Sequence, residues 1–114
     1  MSVRVYLPTT LDLLARSVEA GEMPADADRL VADGADEEAE YAALMSAADA
    51  SATLLGGPGR RVVVVAELDD PAAAVPLERV VAVHADTEDR PVDADPDEDL
   101  AWYANQEIGQ LLGD

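Results

Sequence analysis

His84, the single histidine, follows the apolar run Val80-Val81-Ala82-Val83 and opens the segment His84-Ala85-Asp86-Thr87-Glu88. Alternate residues of a strand share one side, so His84, Asp86 and Glu88 can present an imidazole and two carboxylates together. Open α/β sheets tend to bind ligands at such strand ends. The set has the composition of a divalent-metal site, with His84 and Asp86 as ligands and Glu88 as a further ligand or a base for metal-assisted hydrolysis. A tight site on this plan needs Asp69 or Asp70 to converge from the neighbouring strand. The plainer description is a histidine packed at a sheet edge, followed by the first acids of a solvated loop.

Trp102-Tyr103-Ala104-Asn105-Gln106-Glu107 is the other chemically unusual segment, because it holds two of only four aromatic residues. Beside Asn, Gln and Glu they can line a pocket or dock a partner. The plainer alternative is a helix that packs on the sheet through one aromatic and shields it with the other. Together these two segments define the expected functional surface: His84, Asp86, Trp102, Tyr103 and Gln106.

Other chemistries find less support. Asp93-Ala94-Asp95-Pro96-Asp97 places acids at positions one, three and five of a calcium loop, but position six is Glu98 instead of glycine and position twelve is Ala104 instead of glutamate. Gly56-Gly57-Pro58-Gly59-Arg60-Arg61 leaves a helix and enters a strand, the reverse of a phosphate loop, so it reads as a turn whose arginines answer acidic neighbours. Ser2, Ser17, Ser46 and Ser51 are terminal or helical, and none occupies a nucleophile elbow. There is no cysteine, which removes disulfides, thiolate metal sites and thiol catalysis. No cofactor motif is present.

The charge balance narrows the partners. Against 25 Asp and Glu stand 7 basic residues, all arginine, for a formal net charge of −18. Such a surface repels phosphate backbones and anionic membranes, so neither nucleic acid nor lipid is an expected partner. Missing Lys and Phe, with one Ile and one Asn, fit a GC-rich genome; a salt-adapted organism would look similar. Arg4, Pro8 and Asp12 interrupt the N-terminal apolar run, so neither a signal-peptide core nor a spanning segment is expected, and a cytoplasmic location follows.

The elements that must position these residues centre on Arg61–Leu68, Arg-Val-Val-Val-Val-Ala-Glu-Leu. Four consecutive β-branched residues without alternation predict a strand covered on both faces. Val3–Leu7 reads as a strand ended by Pro8, and Thr9 or Thr10 as the cap of a helix with Leu11, Leu14 and Val18 on one side, closed by Gly21. Gly21–Ala35 is irregular, with Leu30-Val31 either an edge strand or a pinned loop. Asp36 opens the longest helix, whose predicted inner face is Tyr41, Leu44, Met45, Ala48, Ala52 and Leu55. About ten residues link Leu68 to Val80, which leaves the relative strand direction open. Residues 86–96 form a solvated, mobile acidic loop, and Asp95, Pro96 and Glu98 carry the chemistry of a helix start. The expected last helix buries Leu100, Ala104, Ile108 and Leu111. The result is a single α/β domain over residues 1–114, ordered β-α-(β)-α-β-β-α, with three helices on a three- to four-stranded mixed sheet.

Val3–Pro8, Glu40-Tyr41-Ala42-Ala43-Leu44, Val80–His84 and Trp102–Glu107 together resemble the shared blocks of a family of small uncharacterised actinobacterial proteins. The resemblance covers nearly the whole chain, with Gly21–Ala35 shorter than the family pattern. It implies a GC-rich bacterial source and a cytoplasmic protein, and it carries no activity onto any residue.

The leading expectation is a noncatalytic binding or interaction module, monomeric or dimeric, for a protein or small-molecule partner. The alternatives are the hydrolase of His84, Asp86 and Glu88, and a structural homodimer paired through a sheet edge or the Trp102 segment. Self-repulsion among so many carboxylates opposes compaction, and salt screens it. The melting temperature is therefore expected to rise between low and physiological ionic strength in a calorimetric series; a flat or falling trend would contradict this.

Overall fold

In the computed structural model, which describes residues 2–113, the valine run is the central strand β4 (Val62–Leu68). It lies between β1 (Val3–Thr9) and β6 (Val80–Ala85), while β3 (Leu30–Val31) and β7 (Ala101–Ala104) form the two edges of a five-stranded sheet ordered β3-β1-β4-β6-β7. Both faces of β4 are covered, as its composition requires. Val62, Val64, Ala66 and Leu68 face one apolar cluster with Leu14 and Ile108, and Val63 and Val65 face a second with Ala47 and Ala48.

The sheet is antiparallel throughout instead of mixed. β3 and β4 both run antiparallel to β1, so they point the same way with β1 between them. The long helix α2 (Glu37–Leu55) connects them and packs over β1 and β4. This is a split β-α-β crossover: β3 and β4, joined by α2, are parallel to each other, but the earlier strand β1 occupies the gap between them. The link after β4, residues 69–79, is likewise explained. It leaves the main sheet as β5 (Val75–Pro76), pairs with β2 (Glu22–Met23) in a separate two-stranded sheet, and returns through a 3-10 turn to β6. Met23 and Val75 are thereby buried against the core.

Local chemistry accounts for the helix ends. Thr10, not Thr9, caps α1 (Leu11–Ala20), accepting from the Leu13 amide at 3.2 Å. Thr9 belongs to β1, which also runs through Pro8. Proline is tolerated near a sheet edge, and β3 pairs only with Val5 and Tyr6, leaving Pro8 without a neighbour on that side. Gly21 closes α1 at φ 86, a left-handed conformation that disfavours a side chain. Asp36 caps α2 through the Ala39 amide at 2.8 Å. The inner face of α2 is Ala43, Ala47, Ala48 and Ser51, about one residue around from the predicted stripe. Tyr41 is exposed and donates to Asp99 Oδ1 at 2.7 Å. Alanine and serine let the helix backbone approach the sheet, which the larger side chains would prevent.

The final helix is the main departure. Residues 101–104 are β7, Asn105–Glu107 form a 3-10 turn, and α3 is only Ile108–Leu111. Asp95 performs turn chemistry instead of capping: its carboxylate accepts from the Asp97 amide at 2.9 Å and its carbonyl from the Glu98 amide. No helix among the described residues is long and apolar enough to cross a membrane.

Ser51 joins the layers. Its buried hydroxyl donates to Thr9 O at 2.7 Å and accepts from the Val62 amide at 2.9 Å, tying α2 to the end of β1 and the start of β4. Ser17, in contrast, donates only to Leu13 O in its own helix. Ser51→Ala removes two hydrogen bonds from a fully buried position, while Thr9 and Val62 stay paired in the β1–β4 ladder. It is expected to lower stability by about 1–2 kcal/mol in urea titrations, while Ser17→Ala, which loses a single bond within its own helix, costs less than about 1 kcal/mol.

Candidate functional site

His84 and Trp102 meet as directly paired residues of β6 and β7, so their side chains share one face of the sheet. It is the face that Val63 occupies one strand further in, the side of α2. Because α2 packs over β1 and β4, the outer strands are less covered there: Trp102 is 59% exposed and His84 half-buried. Partial burial alone pushes His84 below its ordinary 6.5, favouring the neutral imidazole.

Tyr103 pairs with Val83 and faces the opposite side, where it packs on the core cluster. Gln106 is exposed in the turn beyond β7. Of the five residues expected to make one surface, His84 and Trp102 are brought together, and Tyr103 is separated from them by the alternation of the strand.

Asp86 has a different role. It is buried and held by Arg61, itself 2% exposed, in a forked pair: Arg61 Nε donates to Oδ2 at 3.0 Å and Nη2 to Oδ1 at 2.9 Å. The Arg61 amide also donates to Oδ2, the Asp86 amide returns a bond to Arg61 O, and Arg60 Nε donates to Asp86 O. The carboxylate thus has its acceptor sites filled by protein. Burial alone raises the Asp86 carboxyl, but the Arg61 hydrogen bonds and the charges of Arg61 and Arg90 outweigh it and leave it below its ordinary 3.8. Among the described residues no three His, Asp or Glu side chains converge on a possible metal position. A site built from His84, Asp86 and Glu88 would have to break the Arg61 pair first.

The arginines next to Asp86 also fix the acidic segment that follows. Arg61 donates to Pro96 O at 3.1 Å and Glu98 O at 2.9 Å, Arg90 donates to Asp95 O, and Gly59 and Arg90 exchange backbone bonds. Binding the carbonyls leaves the carboxylates outside. Asp86, Glu88, Arg90, Glu98 and Asp99 border a cleft of about 350 Å³ that reaches Ala101, the first residue of β7. Sequence reasoning noted Arg60 and Arg61 as answering acids; it missed that Arg61 is a buried hub. The signal was an arginine at the head of one apolar run and an aspartate at the end of another.

Removing Asp86 while leaving Arg61 buried is expected to cost about 3–5 kcal/mol. Asp86→Ala should therefore show a much lower melting temperature at pH 7. A carboxyl whose folded pKa is depressed stabilises the fold above its unfolded pKa, and that contribution disappears as pH falls through the folded value. The gap between wild type and variant should accordingly close on acidification below about 3.8, the ordinary value. A constant gap across that range would rule out the charged pair as the cause.

Comparison with known proteins adds a family and no activity. No curated protein and no solved structure matches the chain. A model for a family of unknown function, DUF6912, matches residues 3–112. That match takes in β1 through α3, the Arg61–Asp86 pair and the His84–Trp102 pair, and on it the chain belongs to the DUF6912 family.

Proposed function

We propose that this protein is a noncatalytic interaction module that binds an extended, basic segment of a partner protein along β7. The observation that carries the reading is Trp102, a largely exposed indole on an edge strand that runs on from an acidic cleft. Ala104 turns its amide to Glu107 Oε1 at 2.9 Å, away from β6. By the alternation of an antiparallel ladder, the Trp102 amide and carbonyl point outward as well and can pair with an added strand. Arginine or lysine on that strand would stack on the indole and meet the carboxylates of Glu88, Glu98 and Asp99.

Charge selects this occupant over the alternatives. A second copy would bring −18 against −18, which opposes a homodimer through the same edge. The hydrolase reading loses ground because its second ligand, Asp86, is engaged by Arg61. We further place the protein in the cytoplasm of a GC-rich actinobacterium, a reading supported by the absence of Lys and Phe and by the block resemblance.

A labelled peptide of alternating arginine and valine tests this. It is expected to change the fluorescence of the single tryptophan and to bind Trp102→Ala about tenfold more weakly by anisotropy, equivalent to about 1.4 kcal/mol. Equal affinity for both proteins would mean that the peptide merely condenses on a polyanion and would remove Trp102 as the site.

A further inference from the structure

A cavity of about 510 Å³ lies away from Trp102, between α1, the loop after β2 and the C-terminal end of α2. That volume is within the range of small-molecule sites. Leu13, Ala20, Met23, Pro24, Ala27 and Leu54 supply apolar lining. Leu13 and Leu54 are 41% and 48% exposed, large apolar side chains at a concavity instead of scattered singly over the surface. The loop wall is braced: Arg29 donates to the carbonyls of Pro24, Ala25 and Ala27 and, across the gap, to those of Pro71 and Ala73. This wall is a fixed part of the fold.

Arg16 stands at the same cavity. Six of the seven arginines have acceptors: Arg4 and Arg79 bond carboxylates, Arg29 and Arg60 bond carbonyls, and Arg61 and Arg90 bond both kinds or lie beside them. Arg16 alone has neither a hydrogen bond nor an ion pair among the described residues. Unpaired acids are unavoidable when 25 compete for 7 cations, so Glu22 and Asp28 at the rim need no ligand to explain them. An unpaired guanidinium in so acidic a chain is the exception. Its fork matches a carboxylate.

We infer that this cavity binds a small apolar monocarboxylate, its hydrocarbon body against Leu13, Met23 and Leu54 and its carboxylate on Arg16. Glu22 and Asp28 line the same cavity and repel the same charge, which confines the carboxylate to Arg16. A second macromolecule is the poorer occupant, because the site is concave and bounded by a braced loop. The inference does not depend on the function proposed for β7.

Octanoate, octanol and octylamine, titrated into isotope-labelled protein and followed by amide shifts, separate the terms. Octanoate is expected to shift amides of α1 and the Met23–Ala27 loop and to bind at least tenfold more tightly than octanol. Arg16→Gln, an exposed helix substitution that leaves the fold intact, should bring octanoate down to the level of octanol without changing octanol itself. Leu54→Asp should weaken both. Octylamine binding as tightly as octanoate, or an Arg16→Gln variant with unchanged preference, would overturn the carboxylate assignment. Shifts confined to other regions, or none, would overturn the site.

Discussion

One buried guanidinium organises the acidic half of the molecule. Arg61 precedes β4 by one residue and Asp86 follows β6 by one, so their pairing extends the β4–β6 ladder past its last apolar pair, Val62 and Ala85. A buried ion pair is weak evidence of net stability, since desolvation of both partners offsets much of the attraction. Here its effect is on where the chain goes next. With the carboxylate satisfied, Arg61 still has donors left, and these hold Pro96 O and Glu98 O. The segment from Asp86 to Asp99, in which eight of fourteen residues are acidic, thus returns to the sheet and delivers Ala101 in register with Ala85.

The same logic runs through most of the seven arginines. In a chain so rich in carboxylates, a basic side chain has many possible salt-bridge partners, and at exposed positions such pairs contribute little. Arg29 and Arg60 donate to backbone carbonyls, and Arg61, Arg79 and Arg90 do so beside their carboxylate partners. Irregular segments leave carbonyls unpaired, and one guanidinium with five donors can satisfy several at once. Lysine, a compact cation on a flexible stem, would do this less well. The exclusive use of arginine, read from the sequence as a mark of codon usage, is also structurally apt.

The parts legible in the sequence are those where composition and geometry agree. The doubly covered valine strand, the Asp36 cap and the Gly21 stop follow from local chemistry alone, and the first cap was narrowed to Thr9 or Thr10. The last helix did not, because two signals were degenerate. Leu100, Ala104, Ile108 and Leu111 have helical spacing, yet Ala101–Ala104 form a strand with aromatic residues of high strand preference. Asp95-Pro96 suits a helix start and a turn equally, and an edge position beside β6 decided between them. Strand direction was also out of reach: nothing local to β3 or β4 records that β1 lies between them. For the site, the chemical oddity of His84 and Trp102 was visible, but the face each side chain takes depends on strand parity, which a helical reading of Trp102–Tyr103 hides.

The register places Thr9, Val62, Ala85 and Ala101 in one row across the end of the sheet. The apolar cavity begins at Pro8 and Thr9, and the acidic cleft ends at Ala101. Both candidate surfaces therefore lie along one end of the sheet, where α2 terminates at Gly56 and irregular loops replace regular pairing. The rule that ligands gather at the carboxyl ends of strands belongs to parallel sheets and cannot explain this, since neighbouring strands here alternate in direction. The cause is coverage. α2 lies over β1 and β4, and beyond its end the chain must close the structure with loops held by arginine. Loops positioned by a rigid scaffold are where concave, chemically mixed surface can form, and at this end they flank the row from Thr9 to Ala101.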